Sequence, residues 1–415
     1  MTYTFLPNNN SSTRRKIILI ALDWTRPKDP PLSLGLASIL ANLQMYNIDV
    51  YSKEWSVNSE NFNVGDVSDF ILSKASPLTD VALGAFVWNE KYIQIILSKL
   101  KKEKFPGRII LGGPQISYVK HNIETYYPQA DIFIRGYAEE ALALLMTSEK
   151  QYPLITGVHY TGKKSLGLSA MADLEHLPSP YLNGIIVPQK FIRWETQRGC
   201  PFSCSFCQHR SSDPTNVRRS FAKNRLLDEI NWITSSLVND IAVLDPTFNA
   251  GAHYINMLKV FAEKKYSGKI SLQCRIEMVT PEFLEIVEEI NKYGEVNLEF
   301  GLQTIHRNEQ MHIQRLNNMT KVRENLMNIR KRGIQCEVSL MFGLPGQTVH
   351  SFSESIQFCK ELDIKTIRAF PLMLLRGTAL YEKKEELGLI ESVGANFDKI
   401  NRVQTDIPHV VSSPS

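Results

Sequence analysis

Arg198-Gly199-Cys200-Pro201-Phe202-Ser203-Cys204-Ser205-Phe206-Cys207 is the stretch on which the reading of this chain turns. Its three cysteines are separated by three residues and then by two, and they come just after a segment, 192–196, that reads as a strand. The spacing therefore puts three soft ligands on one short loop at the carboxyl end of a strand, the end at which α/β barrels carry their chemistry. Three thiolates suit three irons of a cubane cluster and leave the fourth iron open to chelate a small molecule. Phe202 and Phe206 would shield such a cluster from water, and Gly199 permits close backbone approach. The plainer alternative is a structural zinc site made of the three cysteines and His209, although zinc modules usually arrange their ligands as two separated couples. Cys274, Cys336 and Cys359 are scattered among apolar neighbours and read as small buried hydrophobes.

Working outward, strands are expected at 192–196, 241–244, 271–275, 297–303, 335–342 and 366–371, with helices at 226–237, 254–264, 281–292, 321–331 and 351–362 in the gaps. Six strand and helix repeats over 191–388 predict a partial α/β barrel, because a closed eightfold barrel needs about 250 residues. Upstream, the run 17–22 ends at Asp23 and reads as a buried parallel strand. A helix with Leu34, Leu36, Ile39, Leu40 and Leu43 at helical spacing follows it. Further strands at 49–52, 81–87, 108–111 and 131–134 alternate with helices at 92–101 and 139–146, the rhythm of a doubly wound parallel sheet. The chain thus divides into a flexible amino terminus (1–14), a Rossmann-like domain (15–150), a linker (151–190) with Pro153, Pro178, Pro180 and Pro188, the partial barrel (191–388) and a carboxyl-terminal tail (389–415).

Composition narrows the function classes. In 415 residues, 43% hydrophobic and 22% charged, there is enough apolar surface for real cores. The 47 basic against 43 acidic side chains leave a formal charge of +4, too small an excess to imply a nucleic-acid groove. The run 17–22 is far shorter than a membrane span, and 1–12 lacks the layout of a signal peptide. The expectation is a cytoplasmic protein with neither a membrane nor a nucleic acid as partner.

With its cysteine, three residues, cysteine, two residues, cysteine pattern, and with Phe206 just before the last cysteine, the loop resembles that of the radical S-adenosylmethionine (radical SAM) superfamily. The resemblance implies a [4Fe–4S] cluster on Cys200, Cys204 and Cys207 whose open iron binds SAM. One electron, from a flavodoxin- or ferredoxin-type donor, then cleaves SAM to methionine and a 5′-deoxyadenosyl radical. Other segments resemble the superfamily in the expected order. They are 243–249 with Asp245 and Asn249, the residues Gln273, Arg275 and Glu277 alternating along the third strand, 298–304 with Glu299, Gly301 and Gln303, and 341–348 with Gly343 and Leu344. The exit of the sixth strand at 370–372 and 376–380 is a further match. The SAM contacts implied are Phe206, Asp245, Asn249, Arg275, Glu299, Gln303, Gly343 and Leu344.

The first domain resembles the cobalamin-binding domain of one large radical SAM subgroup, so the fold implied is α/β, a Rossmann-like doubly wound cobalamin-binding-type domain followed by a partial (β/α)6 radical SAM barrel. The cobalamin contacts implied are Ser33, Leu34, Gly35, Trp88, Asn89, Gly112, Gly113, Pro114, Gly136 and Tyr137, with Trp88 a candidate to pack against the corrin. No histidine stands two residues after an aspartate and three before a glycine, so the histidine ligand to cobalt is absent, and Gly136-Tyr137-Ala138-Glu139 stands where glycine and glutamate usually alternate. The activity implied is methylation of an unactivated carbon of a small molecule or peptide, by way of the deoxyadenosyl radical and methylcobalamin. A non-methylating radical reaction (epimerisation, rearrangement or carbon–carbon bond formation) and a zinc-binding scaffold are the alternatives.

Overall fold

The structure, a computed structural model, describes residues 2–5, 14–119, 121–164, 167–209, 218–392 and 409–412. It divides into two units, with the break between Val187 and Pro188. The first holds one sheet of β1 (Thr2–Phe5), β2 (Lys16–Asp23), β3 (Val50–Ser56), β4 (Thr79–Gly84), β5 (Ile109–Gly112), β6 (Ile132–Ile134) and β7 (Val158–Tyr160). The strand order is β1-β3-β2-β4-β5-β6-β7, and the five inner strands are parallel. This is the doubly wound order, with the chain reversing direction across the sheet between β2 and β4. The apolar run in β2 does not alternate because both faces of the sheet are covered: Ile17, Ile18, Leu19, Ile20 and Leu22 are all buried. Helices Val64–Ser73 and Glu90–Lys102 pack on the face that carries Ile18, Ile20 and Leu22.

Two boundaries differ from those expected. Residues 2–5, assigned to a flexible terminus, pair antiparallel with β3, since the alternation Thr-Tyr-Thr-Phe suits the free edge of that strand. The linker assigned to 151–190 belongs to the first unit as far as Val187. Within it β7 pairs antiparallel with β6, and Ala170 bridges Gly136; three-residue strands among prolines leave little periodicity to read.

The second unit is a six-stranded, all-parallel sheet in sequential order: β8 (Phe191–Trp194), β11 (Asp240–Val243), β12 (Lys269–Cys274), β13 (Glu295–Gln303), β14 (Gln335–Phe342) and β15 (Thr366–Pro371). The short antiparallel pair β9 (Gln197–Arg198) and β10 (Arg219–Ser220) lies outside it. Along β13, Val296, Leu298, Phe300 and Leu302 are buried, while Asn297, Glu299, Gly301 and Gln303 share the other face. Helices Lys223–Thr234, Tyr254–Glu263, Pro281–Ile290, Met319–Lys331 and Val349–Glu361 connect successive strands, which makes the sheet the expected partial (β/α)6 barrel. Of the expected tail, Leu389–Ser392 and His409–Ser412 are described, as an antiparallel pair, and 393–408 and 413–415 lie outside the described residues. Among the described residues no helix is long and apolar enough to cross a membrane.

The amino ends of the first sheet are tied by one carboxylate. Asp80, at the start of β4, is fully buried. It accepts from the backbone and guanidinium of Arg108 and from the guanidinium of Arg15, just before β2. Burial alone would push its carboxyl up, but the two arginines outweigh it and hold it below the ordinary carboxylate range. The clamp therefore contributes its full stability above about pH 3.9, the ordinary value, and loses it as pH falls towards the lower folded value. Asp80→Asn should destabilise the first unit by roughly 3–5 kcal/mol and flatten that acid limb, both measurable in thermal melts across pH.

Candidate functional site

The cysteine loop leaves the second sheet immediately after β8 and is fixed at both ends. Thr196 and Gln197 donate their backbone N–H groups to the carboxylate of Asp245, at 2.8 and 3.2 Å, and the Thr196 hydroxyl donates to its other oxygen. Asp245 follows β11 and is fully buried, which pushes its carboxyl up to about 7 against those three donors. The Gln197 amide donates to the Thr247 carbonyl at 2.9 Å, a second tie between the same segments. Gly199 then turns at φ 85°, in the left-handed region glycine tolerates. On the far side, Ser205 N–H donates to the Ile313 carbonyl and its hydroxyl to the His312 carbonyl, while its own carbonyl accepts from Leu380. The Gln208 amide donates to the Arg376 carbonyl. The exit of the sixth strand thus rests on the loop.

Each cysteine sulfur has a polar neighbour. Cys200 Sγ lies 3.7 Å from Thr247 Oγ1, Cys204 Sγ 3.6 Å from Nη1 of Arg315, and Cys207 Sγ accepts from the His209 N–H at 3.4 Å. Cys200 and Cys204 are buried and Cys207 half-buried. Among the described residues no three or more His, Cys, Asp or Glu side chains are grouped as ligands of a single ion. The donor set suits a cluster: three sulfurs on one loop, each with its own hydrogen-bonding or polar neighbour, on a backbone held from both sides. The other three cysteines are of a different kind. Burial raises all of them, Cys336 to about 11 and Cys359 to about 12, which keeps them as neutral thiols; Cys336 is half-buried rather than buried.

The implied SAM contacts come from the carboxyl ends of the strands, apart from Glu299 at the middle of β13, but several side chains are already engaged within the protein. Asp245 holds the loop, as described. Asn249 forms a reciprocal pair with the backbone of Arg275, donating to its carbonyl and accepting from its N–H, both at 2.9 Å. The guanidinium of Arg275 lies 4.1 Å from the centre of the Phe202 ring and donates to Glu277 and to the Leu316 carbonyl. Strand β12 ends at Cys274, so Glu277 sits in the turn Ile276–Met278 and not on the strand as expected. Leu344 is fully buried in an apolar cluster with Ile313, Leu372 and Leu380, against which Phe206 packs. These five residues (Asp245, Asn249, Arg275, Leu344 and Phe206) thus have partners within the protein itself. Glu299 lies half-buried on the inner face of β13, Gln303 at a left-handed φ of 68° just past an irregularity in that strand, and Gly343 at φ 81° past β14.

Sequence reasoning missed Arg315, Thr196, Gln197, Thr247 and Glu309. Buried Glu309 accepts from the Gln347 amide at 3.2 Å and the Ser351 hydroxyl, and so fixes the turn that carries Gly343. None belongs to a local motif with the residue it serves: Arg315 is 111 residues from Cys204.

In the first unit the implied cobalamin contacts gather on one edge, at the carboxyl ends of β2, β4, β5 and β6. Ser33 precedes the helix Leu34–Met45 and donates its N–H to buried Glu54; Gly35 is exposed. Glu54 is pushed up to about 8 by burial and by the neighbouring Asp23. Trp88 stacks on Phe86 and donates its indole N–H to the Leu22 carbonyl at 3.2 Å. Asn89 is fully buried and its amide donates to the same carbonyl and to that of Gly84, so it joins β4 to β2 and presents no surface. Gly113 and Gly136 both have left-handed φ and no room for a side chain: a Cβ would meet the Ala85 or Ala170 carbonyl at 2.7 or 2.3 Å. A Cβ on Gly112 would make only ordinary contact. Pro114 opens the short helix Pro114–Ser117, and Tyr137 precedes the helix Ala138–Thr147.

Residues 194–359, which include the three cysteines and strands β11 to β14, match the family model of the radical SAM superfamily. The cobalamin-dependent radical SAM methyltransferase TokK of Streptomyces tokunonensis is 27% identical over 341 residues, covering 74% of this chain and 49% of that protein. The 2-(S-pantetheinyl)-carbapenam-3-carboxylate methyltransferase of Streptantibioticus cattleyicolor is 25% identical over 318 residues, 69% of this chain and 46% of that protein. The chain spans about half the length of these curated relatives. Among solved structures, the radical SAM methyltransferase TsrM from Kitasatospora setae shares the fold with a TM-score of 0.71 at 14% identity, covering 92% of this chain and 78% of its own. The cysteine pattern, the stretch that matches the radical SAM family model and the six-stranded sheet thus all lie in one unit of the chain.

Proposed function

We propose that the chain is a cobalamin-dependent radical SAM methyltransferase acting on an unactivated carbon of a small molecule or peptide, supplied with electrons by an external one-electron donor. The observation that carries the reading is the cysteine loop itself: three sulfurs with separate polar neighbours at the carboxyl end of a six-stranded parallel sheet, in a chain whose other unit is a doubly wound sheet. TokK, named as cobalamin-dependent, and the carbapenam methyltransferase supply the choice of methyl transfer over other radical chemistry.

Cys200, Cys204 and Cys207 would hold the [4Fe–4S] cluster. Glu299, Gln303 and the Gly343 backbone would face SAM, and the edge with Ser33, Gly35, Trp88 and Gly112 would face cobalamin. Bound there, these groups supply a one-electron route to an unreactive C–H bond and a methyl group to replace its hydrogen. The protein's own work is positional. Asp245 fixes the entry to the cysteine loop, Ile313 and Leu380 its exit, and Phe202 and Phe206 place apolar surface beside it. A carbon to be methylated must meet both reactive groups in turn, so the fixed loops set the rate through proximity.

Four outcomes follow from these assignments. Anaerobic reconstitution should give about four irons per chain and 5′-deoxyadenosine from SAM. Cys204→Ala should abolish that product, read by chromatography, with far-ultraviolet circular dichroism unchanged. Asp245→Ala should cost most of the bound iron, whereas Asp245→Asn, which keeps an acceptor for the Thr196 N–H and a polar group for its hydroxyl, should retain it. Gly112→Val should leave the melting temperature near wild type yet weaken cobalamin binding at least about tenfold in a spectral titration, since only the approach surface changes.

A further inference from the structure

We propose that Arg135 binds the phosphodiester of cobalamin's nucleotide tail, and so lets the first unit select a complete cobalamin over a corrinoid that lacks the tail. The inference rests on the reading that the edge with Ser33, Gly35, Trp88 and Gly112 faces cobalamin.

Arg135 comes directly after β6, at that same edge of the sheet. Leu111 and Phe133 pair across β5 and β6, and two residues further along each chain segment come Gly113 and Arg135. The backbone there is held from both sides. Arg135 donates its N–H to the Gly157 carbonyl at 2.9 Å and its carbonyl accepts from Ala170 at 2.7 Å, while Gly136 N–H donates to the Ser117 hydroxyl at 3.0 Å. The side chain therefore starts from a fixed point, and the neighbouring Gly113 and Gly136 add no side chain at that end of the sheet.

What it carries is a charge without a counter-charge. Arg135 is 7% exposed, its Nε is buried without a hydrogen-bond partner, and among the described residues no carboxylate pairs with its guanidinium. Arg15 and Arg108, at the opposite edge, are less deeply buried and share Asp80. That carboxylate raises Arg15 above its ordinary value, whereas burial acts alone on Arg135 and lowers it. Arginine nevertheless stays protonated, and a buried charge is costly unless an opposite charge meets it. The surroundings of Arg135 are complete only when an anion is present.

The edge on which Arg135 stands identifies the anion. A corrinoid carries neutral amides around its ring, and its negative group is the phosphodiester that joins the nucleotide. A planar guanidinium meets two phosphate oxygens at once, which a lysine does as a point charge only. A free phosphate offers the same oxygens, so the test separates the two sources.

Wild type, Arg135→Lys and Arg135→Gln, each as the full chain, are titrated spectrally with cobalamin, with cobinamide phosphate, which keeps the phosphate but lacks the nucleoside, and with cobinamide, which lacks both. Melting temperatures of the corrinoid-free chains are taken with and without inorganic phosphate. Wild type should bind cobalamin and cobinamide phosphate at least about tenfold more tightly than cobinamide. Arg135→Gln should lose most of that preference while its cobinamide affinity stays within about twofold of wild type, with Arg135→Lys in between. Without corrinoid, Arg135→Gln should melt no lower than wild type, because it loses an uncompensated charge and no bond; a purely structural role requires a drop. If Arg135→Gln does not fold, the preference of Arg135→Lys carries the comparison. An unchanged preference in a folded variant overturns the inference, as does an equal loss for all three corrinoids. A wild-type preference for cobalamin that cobinamide phosphate does not share assigns the selection to the base and overturns it too. So does a rise in wild-type melting temperature with inorganic phosphate, absent from Arg135→Gln, beside an unchanged corrinoid preference, since the site then takes a free anion. A wild-type chain that binds no corrinoid at all overturns the cobalamin reading itself.

Discussion

The candidate site depends on one buried carboxylate. Asp245 collects two backbone N–H groups and a hydroxyl from the two residues after β8, and this joins the ends of adjacent strands before the chain commits to the cysteine loop. A loop with three cysteines and two phenylalanines has no regular hydrogen-bonding pattern of its own, so its backbone must be held from outside. The carboxylate does that from a site where burial works against its charge, and its three donors offset only part of that cost.

Both units pair charged side chains across the amino ends of neighbouring strands and carry glycines at or near the carboxyl ends. In the first, Asp80 draws Arg15 and Arg108 together below β2, β4 and β5, while Gly112, Gly113 and Gly136 lie at the opposite edge. In the second, the Lys269–Glu295 pair joins the starts of β12 and β13, and Gly301, Gly343 and the cysteine loop lie at or near the other ends. Helices that return antiparallel to parallel strands bring their N–H-rich ends to the same edge, so it is the edge on which an anionic or polar ligand is met by backbone donors. That division explains why left-handed glycines with no room for a Cβ cluster there.

What the sequence made legible is what short-range pattern encodes. The run 17–22, buried on both faces, the helical spacing of Leu36, Leu40 and Leu43, and the six later strands could be read because burial imposes a period. The cysteines could be read because a cluster needs its ligands on one loop. The edge strands β1 and β7 were missed because three or four residues hardly establish alternation, and the amide pair of Asn249 with Arg275 because it joins positions 26 residues apart. Arg315 and Glu309 escaped for the same reason: each serves a loop far away in the chain, and nothing local distinguishes them from a solvated charge.

The side chains engaged within the protein carry a lesson about what a resemblance transfers. Asp245, Asn249 and Leu344 lie in segments that match the superfamily, and the segments do reach the expected edge. Yet Asp245 and Asn249 turn inward to hold neighbouring backbone, and Leu344 fills the apolar cluster under the cysteine loop. A matching segment fixes where the backbone passes, since strand register and the sheet allow one path. It does not fix whether a given side chain faces the ligand or the layer behind it, because one residue of turn exchanges the two. The supporting layer is where the chemistry is set in such a site: it decides which sulfur meets a guanidinium, and a loop that shifts by one residue would exchange a charged neighbour for a neutral one.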